Sequence, residues 1–515
     1  MNDKSVPISS SFKRPVDLLK YDSICKKSDT LYNLYFPENV YNMISSGSDI
    51  FVYSQWQTIK FKVIALDKHT NSVLASTEGC KITHGIASNS RCSIYNSKKL
   101  IVPGSFYSDN NKVFYYPFKS NTNTCGDVYR VPSLYTLIRV ENCHDVTFES
   151  LVIKNATSSE WYFQQFQADN NVSNAVEVIS SQSISFNKCD FTENMGYCLM
   201  IGENSINCTI SGCCIYDTYG GGIRLGATCN DNSNCITIND NLIKSYGRIH
   251  SSSVAIFVQS AHDIKITNNT ICDGFYTAIS LGWSWGYGES TSFKNYVANN
   301  YIHHIMRGVL SDGAAIYTLG DQQGTIIEKN YIHDIISWSY PSSASSLLYF
   351  DEGTSNLIAR NNIGYGAHYG LWIHYGKNIL FNRNVIGFTN LESFRLSRPE
   401  ISSDIYAQNN YIVNDVGSVY GVGFAENAKL TGNHFLSYEF LKNKNGKEYN
   451  NFSKEDITDN MSVNSLSRKG YLKHRFKYGV KSKRLRKISE LPDSLIDGDK
   501  KFVKNNIKDA SGYFD

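Results

Sequence analysis

The chain of 515 residues lacks any continuous apolar run of about 18 residues or more. A helix that crosses a bilayer needs such a run, so no transmembrane helix is predicted. Residues 1–21 also lack the apolar stretch of a secretory signal peptide, and we expect no export signal there. A net charge of +3 spread over this length predicts neither nucleic acid nor a membrane surface as a partner.

Cysteine is absent after Cys272, and the thirteen cysteines form neither a CxxC pair nor the cysteine and histidine spacing of a zinc site. We therefore predict no metal and no cofactor. The cysteines are interpreted as buried free thiols rather than a disulfide framework, and their odd number favours a reducing compartment. A phosphate loop is missing too, because no helical pattern follows Gly220-Gly-Gly222.

Helical periodicity is also missing between Thr136 and Phe435, and leucine is too sparse for leucine-rich repeats. What recurs instead is a polar residue, then any residue, then Ile or Phe. The polar positions are Asn241, Asn269, Asn300, Asn330, Asn361, Asn384, Asn410 and Asn433, with weaker versions at Cys189 and Cys213. Their spacing of roughly 23 to 31 residues lies in the range of solenoid repeats.

The residues between these positions indicate which solenoid forms. Short runs such as Ile236-Thr-Ile238 and Ile264-Lys-Ile266 alternate apolar and polar residues, which is typical of strands with one buried face. Several short strands per repeat predict an all-β fold, a right-handed parallel β-helix built as a single-stranded solenoid. An Asn at the same corner of successive coils can hydrogen-bond along the stack and accept left-handed backbone geometry.

Three regions are predicted. Residues 1–135 show no repeat and are interpreted as irregular β structure that caps the first coil, because an uncapped end would expose unpaired strand groups. Residues 136–437 form the coil stack. Residues 438–515 are rich in Lys and Arg and are interpreted as a solvated C-terminal cap, with binding of an anionic polymer as the alternative.

Carboxylates interrupt the regular repeat in two consecutive coils. They lie beside glycine and against apolar, aromatic strands in Leu310-Ser-Asp312-Gly-Ala-Ala-Ile-Tyr317 and Leu348-Tyr-Phe-Asp351-Glu352-Gly353. Cleavage of a glycosidic bond needs one protonated carboxyl group and one ionised carboxylate, and apolar surroundings or a like charge separate their pKa values. Asp351, between Phe350 and Glu352, fits the protonated acid. Asp-Gly sequences also form ordinary turns, so the spacing leaves a structural role for both aspartates open.

An aromatic, glycine-rich segment precedes these carboxylates and is longer than a β-helix turn requires: Gly282-Trp283-Ser-Trp285-Gly-Tyr287-Gly288. Aromatic rings stack on the faces of sugar rings, and glycine allows close approach of a ligand. Trp283, Trp285 and Tyr317 are therefore candidate sugar platforms, and His374 is a candidate hydrogen-bonding partner of a sugar hydroxyl. Packing inside the fold is the alternative for each of them.

The stretch from Gly282 to Asn362 resembles the parallel β-helix enzymes of glycoside hydrolase family 141. The resemblance lies in the aromatic segment, the strand Leu310–Gly320, and Tyr349-Phe-Asp351-Glu352-Gly353, and it extends over roughly residues 95 to 435. It implies a secreted xylanase or α-L-fucosidase that acts on a polysaccharide or oligosaccharide. It also implies that Asp312 and Asp351 are the catalytic carboxylates.

Alternatives remain for both the residues and the activity. Alignment of the Asn330 and Asn361 corners would stack Asp351 over Gly320, so Asp321 and Glu352 are second choices for the partner carboxylate. The same fold could also carry a polysaccharide lyase or epimerase, or a non-catalytic carbohydrate-binding protein such as an adhesin or a virion spike. A lyase would yield an unsaturated product, whereas an adhesin would bind sugar without turnover.

Overall fold

The computed structural model describes residues 10, 18–78, 82, 86, 91–117, 131–158, 164–165, 167–226, 231–337, 344–387, 389–400, 403–414 and 418–437. The chain forms two compact units. The first comprises Met1–Ser133 with Ser159–Asn171, and the second comprises Leu134–Ser158 with Val172–Asp515. The predicted C-terminal cap, residues 438–515, lies outside the described residues.

The first unit contains an antiparallel sheet, which is more regular than the irregular β structure predicted for this region. Its eight strands pack over a core that includes Phe61, Ile59 and Leu34. In spatial order the strands are Leu19–Lys20, Arg91–Tyr95, Asp49–Ser54, Gln57–Asp67, Ser72–Ser76, Leu31–Tyr35 and Ser23–Lys26, with Gln164–Gln165 paired to Gln57–Asp67.

Short elements complete the first unit. They are the helix Glu38–Tyr41, the 3-10 helices Lys98–Leu100 and Gln167–Asp169, and the hairpin Ser105–Asp109 with Lys112–Tyr116. That this unit caps the β-helix stays a prediction.

The second unit is a parallel β-helix, as the repeat predicts. Each of its coils contributes one strand to each of three parallel sheets, and each sheet has eleven strands among the described residues. Sheet 1 consists of Ile138–Glu141, Asn174–Ile179, Tyr197–Gly202, Ile223–Leu225, Ile256–Val258, Ile279–Leu281, Gly313–Thr318, Ser345–Phe350, Tyr369–Ile373, Glu392–Leu396 and Ser418–Tyr420. We number the coils 1 to 11 in this order.

Sheets 2 and 3 follow sheet 1 within each coil. Sheet 2 consists of Thr147–Glu149, Ser185–Asn187, Thr209–Ser211, Thr237–Asn239, Lys265–Thr267, Tyr296–Ala298, Asp321–Glu328, Thr354–Arg360, Gly376–Asn382, Ile405–Gln408 and Ala428–Thr431. Sheet 3 consists of Val152–Lys154, Asp190–Thr192, Cys214–Tyr216, Leu242–Lys244, Thr270–Gly274, Tyr301–Ile305, Tyr331–Ile335, Ile363–Tyr365, Val385–Gly387, Tyr411–Asn414 and His434–Ser437. The pair Ser233–Asn234 with Ala261–His262 and the helix Val422–Asn427 lie between these strands.

The interior of the β-helix is lined by apolar residues that stack in register. In sheet 2, Ile210 pairs with Ile238 and Ile238 with Ile266, and all three are fully buried. Because successive strand residues point to opposite faces, the neighbours of such a row face outward. This alternation decides which side chains of sheet 1 can form a site.

A ladder of buried asparagines links the corner between sheets 2 and 3. The side-chain oxygen of Asn269 accepts from the backbone N–H (3.0 Å) and the side-chain amide (2.9 Å) of Asn241. The same pattern continues through Asn300, Asn330, Asn362, Asn384, Asn410 and Asn433. Upstream, thiols replace the amides, since the N–H of Cys189 donates to Cys213 Sγ at 3.4 Å.

The structure corrects one position of the predicted ladder. Asn362, not Asn361, is paired in register with Asn330, because Tyr331 lies opposite Ile363. Asn361 has a left-handed backbone (φ 56°), as do the residues just before the other ladder asparagines, such as Lys329 (φ 58°) and Asn299 (φ 56°). The ladder bond and the left-handed turn, which we assigned to one residue, belong to two adjacent residues.

Ten cysteines of the described residues are free thiols, most of them buried, as the sequence predicts; Cys25 and Cys235 are exposed. No helix among the described residues is long and apolar enough to cross a membrane.

Candidate active site

A row of aromatic side chains occupies the outer face of sheet 1 in coils 7 to 9. Tyr317 lies opposite Tyr349, and Tyr349 lies opposite Trp372, between the interior rows that contain Ile316 and Phe350. Tyr349 and Trp372 stack with ring centroids 4.2 Å apart, and Tyr317 meets Tyr349 edge to face at 5.3 Å. The three rings are only 2% to 5% exposed, so this outward row is buried within the fold.

Asp351 follows directly after the sheet 1 strand of coil 8 and is held by two side chains. The Tyr317 hydroxyl of coil 7 donates to Asp351 Oδ2 at 2.5 Å, and Nδ1 of His374 in coil 9 lies 2.7 Å from Oδ1. The backbone N–H of Asp351 donates to the carbonyl of Thr318 at 2.9 Å. Three consecutive coils therefore fix the orientation of this carboxylate.

Asp312 immediately precedes the sheet 1 strand of coil 7 and has a left-handed backbone with φ 59°. Its N–H donates to the carbonyl of Ala344 at 2.9 Å, and its own carbonyl accepts from the Tyr276 hydroxyl at 2.8 Å. Burial, followed by the negative charge of Asp351, raises the pKa of Asp312 to about 7.

The side chain of Tyr349 interacts electrostatically with both aspartates. Hydrogen bonding from Tyr349 lowers the pKa of Asp312, whereas burial raises it. The pKa of Tyr349 itself is raised by burial and by the charges of Asp312 and Asp351. Asp312 and Asp351, which are 39 residues apart in the sequence, therefore interact electrostatically with Tyr349 and with each other.

The two second-choice carboxylates have different surroundings. Glu352 accepts from the Tyr375 hydroxyl at 3.2 Å, and its charge contributes to the raised pKa of Asp312, so it lies at the edge of the cluster. Asp321 begins the sheet 2 strand of coil 7, pairs with Ser355 and accepts from the Asn356 side chain at 2.8 Å. The structure therefore groups Asp312 with Asp351 and Glu352 and gives Asp321 a partner on sheet 2.

The aromatic loop, residues 282–288, lies against the turns of coils 7 and 8. A Cβ atom on Gly320 would lie 2.4 Å from the carbonyl oxygen of Ser284, and one on Gly353 would lie 1.9 Å from that of Gly286. Both glycines also have positive φ (72° and 75°), which explains why no larger residue occupies these turns. The N–H of Gly286 donates to the Glu352 carbonyl at 3.3 Å and ties the loop to the carboxylate cluster.

The candidate sugar platforms differ in exposure. Trp285 is 49% exposed and packs edge to face on the half-buried Trp283, which in turn contacts Phe257. Tyr317 does not fit a platform, because its ring is 2% exposed and its hydroxyl is used by Asp351. His374 contacts the Asp351 carboxylate. Its position therefore suits a residue that orients this carboxylate.

Sequence reasoning missed Tyr349, Tyr276 and Tyr375. Each of these tyrosines interacts with an acidic residue of a neighbouring coil: Tyr349 and Tyr276 with Asp312, and Tyr375 with Glu352. Register was a signal for Tyr349 alone: Tyr317 and Tyr349 each lie 13 residues before a ladder asparagine, Asn330 and Asn362.

Comparison with known proteins supports the architecture. Residues 254–460 match the family described as right handed beta helix region, and the predicted right-handed parallel β-helix is confirmed. No curated protein matches the chain at a significant level.

Solved structures give the same result for the fold. A structure titled glycoside hydrolase is 19% identical and superposes with a TM-score of 0.59 over 83% of this chain and 78% of that one. The catalytic domain of a GH87 alpha-1,3-glucanase in complex with nigerose is 11% identical (TM-score 0.40; 80% and 92% covered). PfbA, a surface adhesin of Streptococcus pneumoniae, is 14% identical (TM-score 0.35; 65% and 76% covered). The chain is thus similar in fold to the structure titled glycoside hydrolase.

Proposed function

We propose that this protein is a glycoside hydrolase that cleaves glycosidic bonds in a polysaccharide or oligosaccharide, with Asp312 and Asp351 as its catalytic carboxylates. One observation carries the proposal: two aspartates from neighbouring coils interact electrostatically, and the pKa of Asp312 is raised to about 7 by burial and by Asp351. Two carboxyl groups whose environments separate their protonation states are what this reaction requires.

Asp312 is the general acid in this mechanism. A carboxyl group with a raised pKa keeps its proton near neutral pH and can give it to the leaving oxygen. This assignment differs from the expectation that Asp351 is the acid, because burial raises the pKa of Asp312. The proton donor therefore lies at the start of the coil 7 strand rather than at the end of the coil 8 strand.

Asp351 is the second carboxylate. It acts either as a nucleophile at the anomeric carbon or as the base that activates water, depending on whether the two carboxyl groups are about 5–5.5 Å or about 6.5–9.5 Å apart. Tyr317 and His374 orient it through one oxygen each. Such positioning supports catalysis because a misplaced group loses much of its rate advantage.

The resemblance to glycoside hydrolase family 141 and the structural similarity to a protein titled glycoside hydrolase agree with this proposal. Within it, a xylanase-like or α-L-fucosidase-like activity is the finer hypothesis. The exposed ring of Trp285, on a loop bonded to Glu352 through Gly286, is a suitable sugar platform beside the carboxylates.

The test is a screen of aryl glycosides and plant and microbial polysaccharides, analysed for reducing ends. We expect a new reducing end, with activity reduced by roughly 10²–10⁴-fold in Asp312→Asn and Asp351→Asn. Asp321→Asn is the matched control, because this carboxylate is bound to Asn356 on sheet 2 and should keep its rate. An unsaturated product would instead indicate a lyase, and sugar binding without turnover would indicate a non-catalytic protein.

Leaving-group chemistry separates the two roles. An aryl glycoside with a strongly acidic phenol needs no proton donor for departure of the phenol, so Asp312→Asn should retain most of its kcat/KM on that substrate, which reports the bond-cleaving step. Asp351→Asn should be inactive on both kinds of substrate, since nothing replaces its attack or its activation of water. The opposite result would exchange the two roles, and equal losses on both substrates would argue against an acid at Asp312.

A further inference from the structure

A second cluster of titratable side chains lies on sheet 3, apart from the carboxylates at the ends of the sheet 1 strands. His304 of coil 6 and His333 and Asp334 of coil 7 each offer one metal-ligating atom, and these atoms all lie within 4.8 Å of one another. No zinc-like spacing predicts this group, because two of its members are adjacent and the third is 29 residues away. Stacking of coils brings them together.

A backbone irregularity explains why so many polar side chains meet here. In the register of sheet 3, His303 pairs with His333 and Ile305 with Ile335, so His304 and Asp334 occupy equivalent positions in their two strands. Both have left-handed φ angles of 53° and 56°. A left-handed residue at the same position of both strands interrupts the regular alternation of side chains between the two faces, so polar side chains from consecutive positions can meet there.

The distances within the group match a coordination shell. Nε2 of His304 lies 3.6 Å from Asp334 Oδ2, and Nδ1 of His333 lies 3.0 Å from the same oxygen. Tetrahedral zinc with bonds of about 2.0–2.1 Å separates its ligand atoms by about 3.3 Å. The observed values lie on either side of that separation, so small side-chain movements would complete the geometry.

The other nitrogen of each histidine ring is already engaged. Nε2 of His333 lies 2.9 Å from the Tyr301 hydroxyl, and Nδ1 of His304 lies 2.7 Å from Nδ1 of His303. Histidines that bind a metal nearly always donate their second N–H to such a partner, which fixes the ring orientation. The rings of His303 and Tyr365 also stack on His333, each with centroids 5.1 Å apart.

We propose that His304, His333 and Asp334 bind one divalent transition-metal ion, with zinc as the best match. Two imidazoles and one carboxylate suit zinc and related ions, whereas calcium and magnesium prefer oxygen ligands only. Three protein ligands leave one coordination position for water. The His333 side chain is fully buried and that of His304 is 23% exposed, so the ion enters from the His304 side.

The test measures metal content directly and does not depend on hydrolysis. The tag-free full chain is freed of metal with a chelator, dialysed against Zn²⁺ and analysed by elemental mass spectrometry, with thermal unfolding in parallel. We expect about one zinc ion per chain and a higher melting temperature with zinc. Binding of much less than one zinc ion per wild-type chain would overturn the proposal.

Variants locate the ion. His304→Asn and Asp334→Asn suit the left-handed backbone, and each should lower zinc affinity at least tenfold. Tyr301→Phe removes only the outer hydrogen bond and should weaken binding by roughly 10–100-fold without changing the stoichiometry. The matched control is His262→Asn, which removes another histidine that contacts an aspartate (Asp263, 2.6 Å) and should bind zinc normally. Equal zinc binding in every variant would refute the assignment.

Discussion

The Tyr317 hydroxyl donates a hydrogen bond of 2.5 Å to Asp351 from the preceding coil, and this bond determines where the Asp351 carboxylate points. Removing the hydroxyl in Tyr317→Phe keeps the ring that packs against Tyr349. We expect kcat to fall by about 10–100-fold while KM and the melting temperature change little. Steady-state kinetics on the substrate found by the screen check this expectation.

A matched control for that variant exists in the same β-helix. The Tyr296 hydroxyl donates to Glu328 at 2.7 Å, also between adjacent coils but on sheet 2. Tyr296→Phe should therefore leave kcat unchanged. An equal loss in both variants would mean that the Tyr317 bond supports the fold rather than the orientation of Asp351.

Asp312 should make folding stability depend on pH in an unusual direction. Its pKa rises from 3.8 to about 7 on folding, so the folded chain holds this proton more tightly than the unfolded chain. The stability that it contributes is present at about pH 4 and is lost as pH rises through 7. Asp312→Asn, which tolerates the left-handed backbone, should therefore raise the unfolding free energy at pH 8 by roughly 2 kcal/mol.

The comparison of two pH values supplies the control for this prediction. At pH 4 the wild-type side chain is already protonated, so the variant should unfold at nearly the same temperature as the wild type. Thermal unfolding followed by circular dichroism at both values measures the difference. A stabilisation that is equal at pH 4 and pH 8 would show that the charge of Asp312 is not its cause.

The repeat in the sequence predicted the β-helix because it reflects two local rules, alternation in strands and an amide at each corner. Position 361 shows the limit of such reasoning. Asn361 and Asn362 are chemically identical, so only the pairing of Tyr331 with Ile363 distinguishes the left-handed residue from the ladder residue. An error of one residue at this corner also obscured the pairing of Tyr317 with Tyr349.

The chemistry was harder to predict than the fold, for a related reason. Asp312 and Asp351 were found as breaks in the repeat, but the pKa of a carboxyl group depends on burial and on neighbours from other coils. The cluster of His304, His333 and Asp334 was missed because its ligands come from adjacent coils and meet at left-handed positions of the backbone. The spacing of residues along the chain carries little information on the pKa of a carboxyl group or on which side chains meet across coils.

The Asn361 and Asn362 pair also provides a sharp test of the ladder. Asn362 accepts the amide of Asn330 at 2.9 Å and donates to Asn384 at 2.9 Å, both within the buried corner. Asn362→Ala would leave these groups unpaired and should cost roughly 2–4 kcal/mol. Asn361→Gly keeps the left-handed turn and should change stability by less than about 1 kcal/mol.

The midpoint of urea unfolding measures both variants. Because a solenoid can unfold in stages, intrinsic fluorescence and circular dichroism should be followed together. If Asn361→Gly proved the more damaging of the two, the register of coils 7 and 8 would be shifted by one residue from that described above.

The contact between Gly353 and the aromatic loop gives a final prediction. A methyl group at position 353 would meet the carbonyl oxygen of Gly286 at 1.9 Å, and the positive φ of 75° adds strain. Backbone atoms cannot yield as a flexible side chain could, so Gly353→Ala should displace the loop that carries Trp285. We expect a higher KM for oligosaccharides, because the platform moves while the carboxylates of Asp312 and Asp351 keep their own hydrogen bonds.

Gly288 in the same loop is the control, since a methyl group there meets no atom within 4 Å and its φ is not left-handed. Gly288→Ala should therefore keep the wild-type KM. Trp285→Ala should reproduce the rise in KM of Gly353→Ala with little change in thermal stability, because the exposed ring contributes little to packing. If Gly353→Ala lowered kcat as much as Asp351→Asn does, the loop would act on the carboxylates themselves rather than on sugar binding.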